Sequence, residues 1–162
     1  MTAARPHPSV ISYPTDLEVV LRRDFDAPAA VVFDVLNNPI HVRKTLAPFD
    51  EIVKVCEIDL RVGGNYHFVF VTPDGIECSF RGTYLAVDPP LRTSQTWAFE
   101  GWPGVEAIET IELREHDGVT SLTHTLAFAD VAGRARMQAV DGLEANYEHV
   151  AALVAELVAA GG

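Results

Sequence analysis

The chain has 162 residues, 48% hydrophobic and 22% charged, which is enough apolar surface to bury the core of one ordinary domain. Twelve Lys and Arg stand against 23 Asp and Glu, a net charge of -11, and that balance repels phosphate backbones and argues against nucleic acid as a partner. No window reaches the length and apolarity of a membrane span, and the N-terminal MTAARPHPSVISYP lacks a continuous apolar stretch, so the reading is a cytoplasmic protein.

Residues 1–14 carry three prolines and little periodicity; they read as an arm ahead of a single domain over 15–160, ordered only where it docks. Leu17 to Phe25 alternates as a strand. Asp26-Ala27-Pro28 supplies a turn and a helix start, and Ala29 to Leu36 is apolar on most sides. Asn37-Asn38-Pro39 ends that helix before a second short one around Ile40 to Leu46.

Beyond Pro48 the period changes to two. Strands are predicted at about Ile52 to Leu60, Asn65 to Val71, Glu77 to Val87, Arg92 to Phe99, Ala107 to Glu115 and Val119 to Phe128. The joints carry turn chemistry, above all Gly63-Gly64, Pro73-Asp74-Gly75 and the two-residue hairpin signal Asp117-Gly118, so consecutive strands are antiparallel neighbours. From Val131 to Ala159 the helical period returns, with Met137, Val140, Leu143, Tyr147, Val150, Val154 and Leu157 along one face. One long helix closes the chain, with Gly142 as the place for an interruption. The prediction is an α+β fold: a curved antiparallel sheet of seven strands, two short helices after the first, and a terminal helix across the concave side. Cys56 and Cys78 fall on strands separated by an intervening one, too far apart for a disulfide, and read as two reduced, buried core thiols.

This element order, carried by RDFDAPAAVVFDVLNNPIHV, VCEIDLRVGGNYHFVF, TPDGIECSFRGTYLAVDPP and DGLEANYEHVAALVAEL, resembles the START-like, helix-grip superfamily also called SRPBCC, shared by the birch pollen allergen and aromatic polyketide cyclases. Within it the similarity is to the branch homologous to the activator of the heat-shock-protein-90 ATPase, from about Leu17 to Leu157. The resemblance implies a cavity under the terminal helix and leaves its ligand open, since one scaffold hosts carriers, sensors, cyclases and co-chaperones. Branch members usually carry two tryptophans after the second short helix; here the chain reads Thr45-Leu46-Ala47-Pro48, which implies a missing aromatic lid. Gln95 and Glu109 depart in polarity from positions that are usually apolar.

Strand parity yields the cavity-facing set. With Tyr66, Phe68 and Phe70 inward, Cys78, Phe80, Gly82 and Tyr84 follow on the next strand, and the polar set Glu77, Ser79, Arg81 and Thr83 faces out. Gln95, Trp97 and Phe99, then Glu109 and Ile111, then His124 and Leu126 complete the wall. The Asp117-Gly118 register sets Ile111 opposite His124 and Glu109 opposite Leu126, which makes Glu109 and His124 diagonal neighbours, roughly 7 to 8 Å apart at the backbone. A carboxylate and an imidazole so placed are candidate catalytic residues, able to orient a substrate hydroxyl or carbonyl or exchange a proton with it. The bland alternative is a bulge that turns Glu109 into water and leaves His124 satisfied by a backbone carbonyl. The candidate ligand-binding residues are Tyr66, Phe68, Phe70, Phe80, Tyr84, Gln95, Trp97, Ile111, Met137, Tyr147 and Val150; each also fits an ordinary core.

The six histidines show no HExxH and no paired ligand spacing, the glycines no phosphate-binding pattern, and GxSxG is absent, so neither metal nor cofactor is expected. Glu112, Arg114 and Glu115 read as a solvated strand face. Three functions stay open. The first is a carrier or sensor for a small hydrophobic, lipid-like or aromatic molecule. The second is a cyclase, dehydratase or lyase acting through Glu109 and His124. The third is a protein-interaction module like the chaperone activators. No motif demands chemistry, so the reading leans away from an enzyme. A homodimer through the arm or an edge strand is compatible with the residues.

Overall fold

Alternation and turn chemistry translate into one continuous antiparallel sheet. The computed structural model describes residues 7–46, 52–140 and 142–161. Their strands are β1 (Val10–Ser12), β2 (Glu18–Phe25), β3 (Ile52–Ile58), β4 (Asn65–Val71), β5 (Glu77–Asp88), β6 (Arg92–Phe99), β7 (Ala107–His116) and β8 (Val119–Phe128). The helices are α1 (Ala29–Asn37), α2 (Pro39–Leu46), α3 (Val131–Gln138) and α4 (Gly142–Ala159). The sheet order is β1-β2-β8-β7-β6-β5-β4-β3, so the first long strand pairs with the last, and the α1–α2 excursion carries the chain to the opposite margin.

The expected α+β helix-grip fold is present, with one correction. The sheet has eight strands among the described residues, not seven, because Val10–Ser12 of the N-terminal arm pairs antiparallel with β2, Ile11 facing Leu21. The closing helix is interrupted at the expected place, Gly142: Ala139 caps α3 and α4 begins at Gly142. Val140, expected on the buried stripe, is 45% exposed at that break.

Tight turns hold the register. Asp117 and Gly118 both take positive φ, 51° and 80°, the pair of left-handed residues that a type I′ hairpin requires. The resulting β7–β8 ladder runs without a shift from Ala107↔Phe128 to His116↔Val119, so Glu109 stays on the inner face. Glu115, read as solvated, has a structural task instead: its Oε1 accepts a 2.7 Å hydrogen bond from the Ala29 N–H. It thereby caps α1, whose own Pro28 offers no side-chain cap. The two cysteines are half-buried instead of fully buried, and neither forms a disulfide.

The main core lies where α1 and α4 meet β2, β7 and β8, with Leu21, Val32, Val35, Leu122, Tyr147 and Val150 at its centre. A second, aromatic cluster gathers Trp97, Leu126 and Phe128. At Gly82, opposite Tyr66 in the β4–β5 ladder, the Tyr66 ring lies across β5, and the Tyr66 hydroxyl donates to the Thr96 carbonyl at 2.9 Å. A Cβ at Gly82 would stand 1.8 Å from Thr96 O and 2.6 Å from the Tyr66 ring. Gly82→Ala is therefore expected to lower the unfolding free energy by about 3 kcal/mol in urea denaturation; a variant as stable as the parent would show that this crossing is not tight.

Candidate functional site

Parity on the curved sheet brings the aromatic side chains to one wall. Phe70 and Phe80 stack at 5.9 Å between ring centroids, Phe80 and Phe99 at 4.8 Å, and Trp97 meets the edge of Phe128 at 5.9 Å. The opposite wall comes from Met137 of α3 and from Leu143, Asn146 and His149 of α4. Between them lies a chamber of about 520 Å³, within the range of small-molecule sites. A smaller inner pocket of about 120 Å³ continues toward the core, walled by Tyr84, Gln95, Ile111, Tyr147 and Val150. Tyr66, Phe68, Glu109 and His124 line both spaces.

The structure thus distributes the predicted residues over two compartments. Tyr66, Phe68, Phe70, Phe80, Trp97 and Met137 border the larger one, whereas Tyr84, Gln95, Ile111, Tyr147 and Val150 border the inner one. Leu143 of the apolar helix stripe also lines the chamber, as do Trp102, Asn146 and His149, which escaped the sequence reading. Trp102 sits in a Gly-Trp-Pro-Gly turn, where only turn chemistry was legible, yet it lies against Phe99 and Trp97. Thr45 and Leu46 of the expected lid segment stand at the chamber wall, while Ala47 and Pro48 lie outside the described residues. Ser79, placed outward with the solvated set, is 7% exposed and hydrogen-bonded to His67.

Glu109 and His124 meet. His124 Nε2 and Glu109 Oε2 are 2.7 Å apart, Gln95 Nε2 donates to Glu109 Oε1 at 2.8 Å, and His124 Nδ1 lies 2.7 Å from the Tyr147 hydroxyl. A polar chain therefore runs from β6 through β7 and β8 into α4. An ionised carboxylate only accepts, so His124 Nε2 carries the proton toward Glu109. Both imidazole nitrogens are then occupied, so a guest in the chamber meets the His124 ring but finds no vacant nitrogen on it. Burial pushes the Glu109 carboxyl up, but the His124 charge and the hydrogen bonds from His124 and Gln95 outweigh it and hold Glu109 below its ordinary value. Burial first, and the Glu109 charge second, push Tyr66, Tyr84 and Tyr147 above the usual phenol range, so all three remain protonated donors. Among the described residues no group of three His, Cys, Asp or Glu converges as a metal site would.

Because Glu109 titrates lower in the folded chain than its ordinary 4.5, its ionisation adds stability above that pH, and the contribution is lost as the pH falls through the folded-state value. His124→Leu, which strands the buried carboxylate, is expected to cost about 3 kcal/mol at neutral pH. In that variant burial is left to push the Glu109 carboxyl above its ordinary 4.5, so the gap to the parent should narrow as the pH falls from above 4.5 down through the parent's lowered value; urea titrations across pH that give a constant gap would show that the pair is not ionic.

Residues 26–155 match the family model described as Activator of Hsp90 ATPase homolog 1-like protein. No curated protein matches the chain. Among solved structures, the chain is similar to protein Ms6760 of Mycobacterium smegmatis, at 22% identity over 90% of this chain and 96% of that one, with a TM-score of 0.80. It is similar to a protein of Rhodobacter sphaeroides at 21% identity, over 92% and 99% of the two chains, with a TM-score of 0.83. Protein CV1439 of Chromobacterium violaceum is 28% identical over 86% and 98%, with a TM-score of 0.73. No helix among the described residues is long and apolar enough to cross a membrane. The family match over most of the length and the shared architecture lead to one conclusion: the chain belongs to the Activator of Hsp90 ATPase homolog 1-like family and carries its helix-grip fold.

Proposed function

We propose that the chain is a binding module that encloses a small hydrophobic or aromatic molecule between the sheet and the terminal helices, acting as a carrier or sensor. The observation that carries this reading is the aromatic chamber of about 520 Å³, a volume that the protein's own side chains leave unfilled. Its lining is mostly apolar, so a guest gains by leaving water and needs few directional contacts. Family membership is compatible with this role.

Thermal-shift measurements with a panel of aromatic hydrocarbons check it. A ligand held at a hundredfold excess over its Kd is expected to raise Tm by roughly 5–10 °C, and Trp97→Ala, which removes the centre of the aromatic wall, is expected to abolish the shift. A panel in which nothing moves Tm would end the reading.

The 2.7 Å contact between Glu109 and His124 favours a second reading, an enzyme of the cyclase, dehydratase or lyase type with Glu109 as the base. Against it stands the direction of the Glu109 shift, since a general base works best with a pKa near the working pH and Glu109 is held below its ordinary value. On this reading Glu109→Gln keeps ligand affinity within about twofold and lowers turnover by roughly 10²-fold or more. Turnover of a polyketide-like or phenolic substrate that survives the substitution would remove Glu109 from any chemical role.

A further inference from the structure

We infer that the inner pocket recognises one uncharged hydroxyl group, so that the guest of the chamber is an apolar alcohol or phenol and not a carboxylate or a phosphate ester. This deepens the binding reading and rests on it.

The argument starts from Gln95. Its side chain is 6% exposed, and its Nε2 donates to Glu109 Oε1 at 2.8 Å. Because a carboxylate offers no proton, that bond fixes which end of the amide faces Glu109. Gln95 Oε1 is therefore turned the other way, buried and without a hydrogen-bond partner. Buried carbonyl oxygens are seldom left so, and an orphan of this kind beside a cavity marks a place for a donor. Gln95 borders the inner pocket, and so does Tyr84, its partner directly across the β5–β6 ladder. Burial followed by the Glu109 charge keeps the Tyr84 hydroxyl protonated, so facing strands bring a phenol donor and an amide acceptor to the lining of one pocket. A pocket with one donor and one acceptor is the complement of a hydroxyl, which gives a proton to the amide oxygen and accepts one from the phenol.

Charge narrows the class further. Neither the chamber nor the inner pocket has a Lys or Arg among its described lining residues, whereas Glu109 faces both. A carboxylate head would meet that negative charge with only the His124 imidazole nearby, whose two nitrogens are already taken by Glu109 and Tyr147, and being acceptor-only it would leave Gln95 Oε1 unsatisfied. The inner space of about 120 Å³ suits a small head group, with the apolar body remaining in the larger chamber.

Trp97 and Trp102 line that chamber, so quenching of tryptophan fluorescence reads binding directly. Four ligands of one shape are titrated: naphthalene, 2-naphthol, 2-naphthoate and 2-naphthylmethylammonium. On the parent chain 2-naphthol is expected to bind about tenfold tighter than naphthalene, the increment of one buried hydrogen bond, with 2-naphthoate weaker than naphthalene and the ammonium no tighter than the naphthol. Gln95→Leu is expected to collapse the naphthol-to-naphthalene ratio toward one, and Tyr84→Phe to lower it in part. Should Gln95→Leu fail to fold, the parent series and Tyr84→Phe decide. Equal affinities for naphthol and naphthalene, or a naphthoate or ammonium that binds tighter than the naphthol, overturn the hydroxyl site while leaving apolar binding in place. Absence of any binding by the four removes the binding reading along with it.

Discussion

The hydrogen-bonded chain from Gln95 through Glu109 and His124 to Tyr147 is the constraint on which the site depends. It ties α4 to the concave face by direction as well as by apolar contact. Hydrophobic packing tolerates sliding, whereas a row of 2.7 to 2.8 Å contacts across three strands and a helix admits one rotation of α4 and one tilt against the sheet. With that rotation set, Val150 and Leu153 are directed into the main core and Leu143 toward the chamber.

The chamber is held open by geometry. Large rings on adjacent strands support one another, with Phe80 touching Phe70, Trp97 and Phe99 at once, so the wall does not collapse into the space it borders. Gly82 contributes by absence: without a side chain there, Tyr66 crosses β5 and anchors its hydroxyl on Thr96. The same tyrosine then stands between the two compartments. Aromatic bulk, one bare backbone position and one polar chain together divide the interior into an apolar hall and a polar recess.

Much of this is legible in the sequence. The turns and period-two stretches locate β2 to β8 with shifts of a residue or two, and the Asp117-Gly118 hairpin alone suffices to set Ile111 opposite His124. Other features depend on information that no local pattern holds. Three residues flanked by prolines do not announce β1, which exists because β2 offers an unpaired edge. Gly142 marks the α3–α4 break, but the exposure of Val140 there is not legible, since an exposed Val140 and a buried Val150 have the same letter. The bond from Tyr147 to His124 depends on how α4 is rotated over the sheet, and Trp102 lines the chamber only because its turn folds back over β6. Glu115 reads as surface charge because its cap is tertiary, supplied to Ala29 from a distant strand.

The pairing of Val10–Ser12 with β2 bears on how the protein is handled. A sheet presents two margins, and here the short leading strand shields one of them, while the other, β3, is kinked by a register shift between Val53 and Val55. Both devices discourage a second molecule from adding its own ladder. Trimming the leader to tidy a recombinant product would strip that shield, leaving the long β2 margin open to self-association, so a purification handle belongs at the carboxyl end.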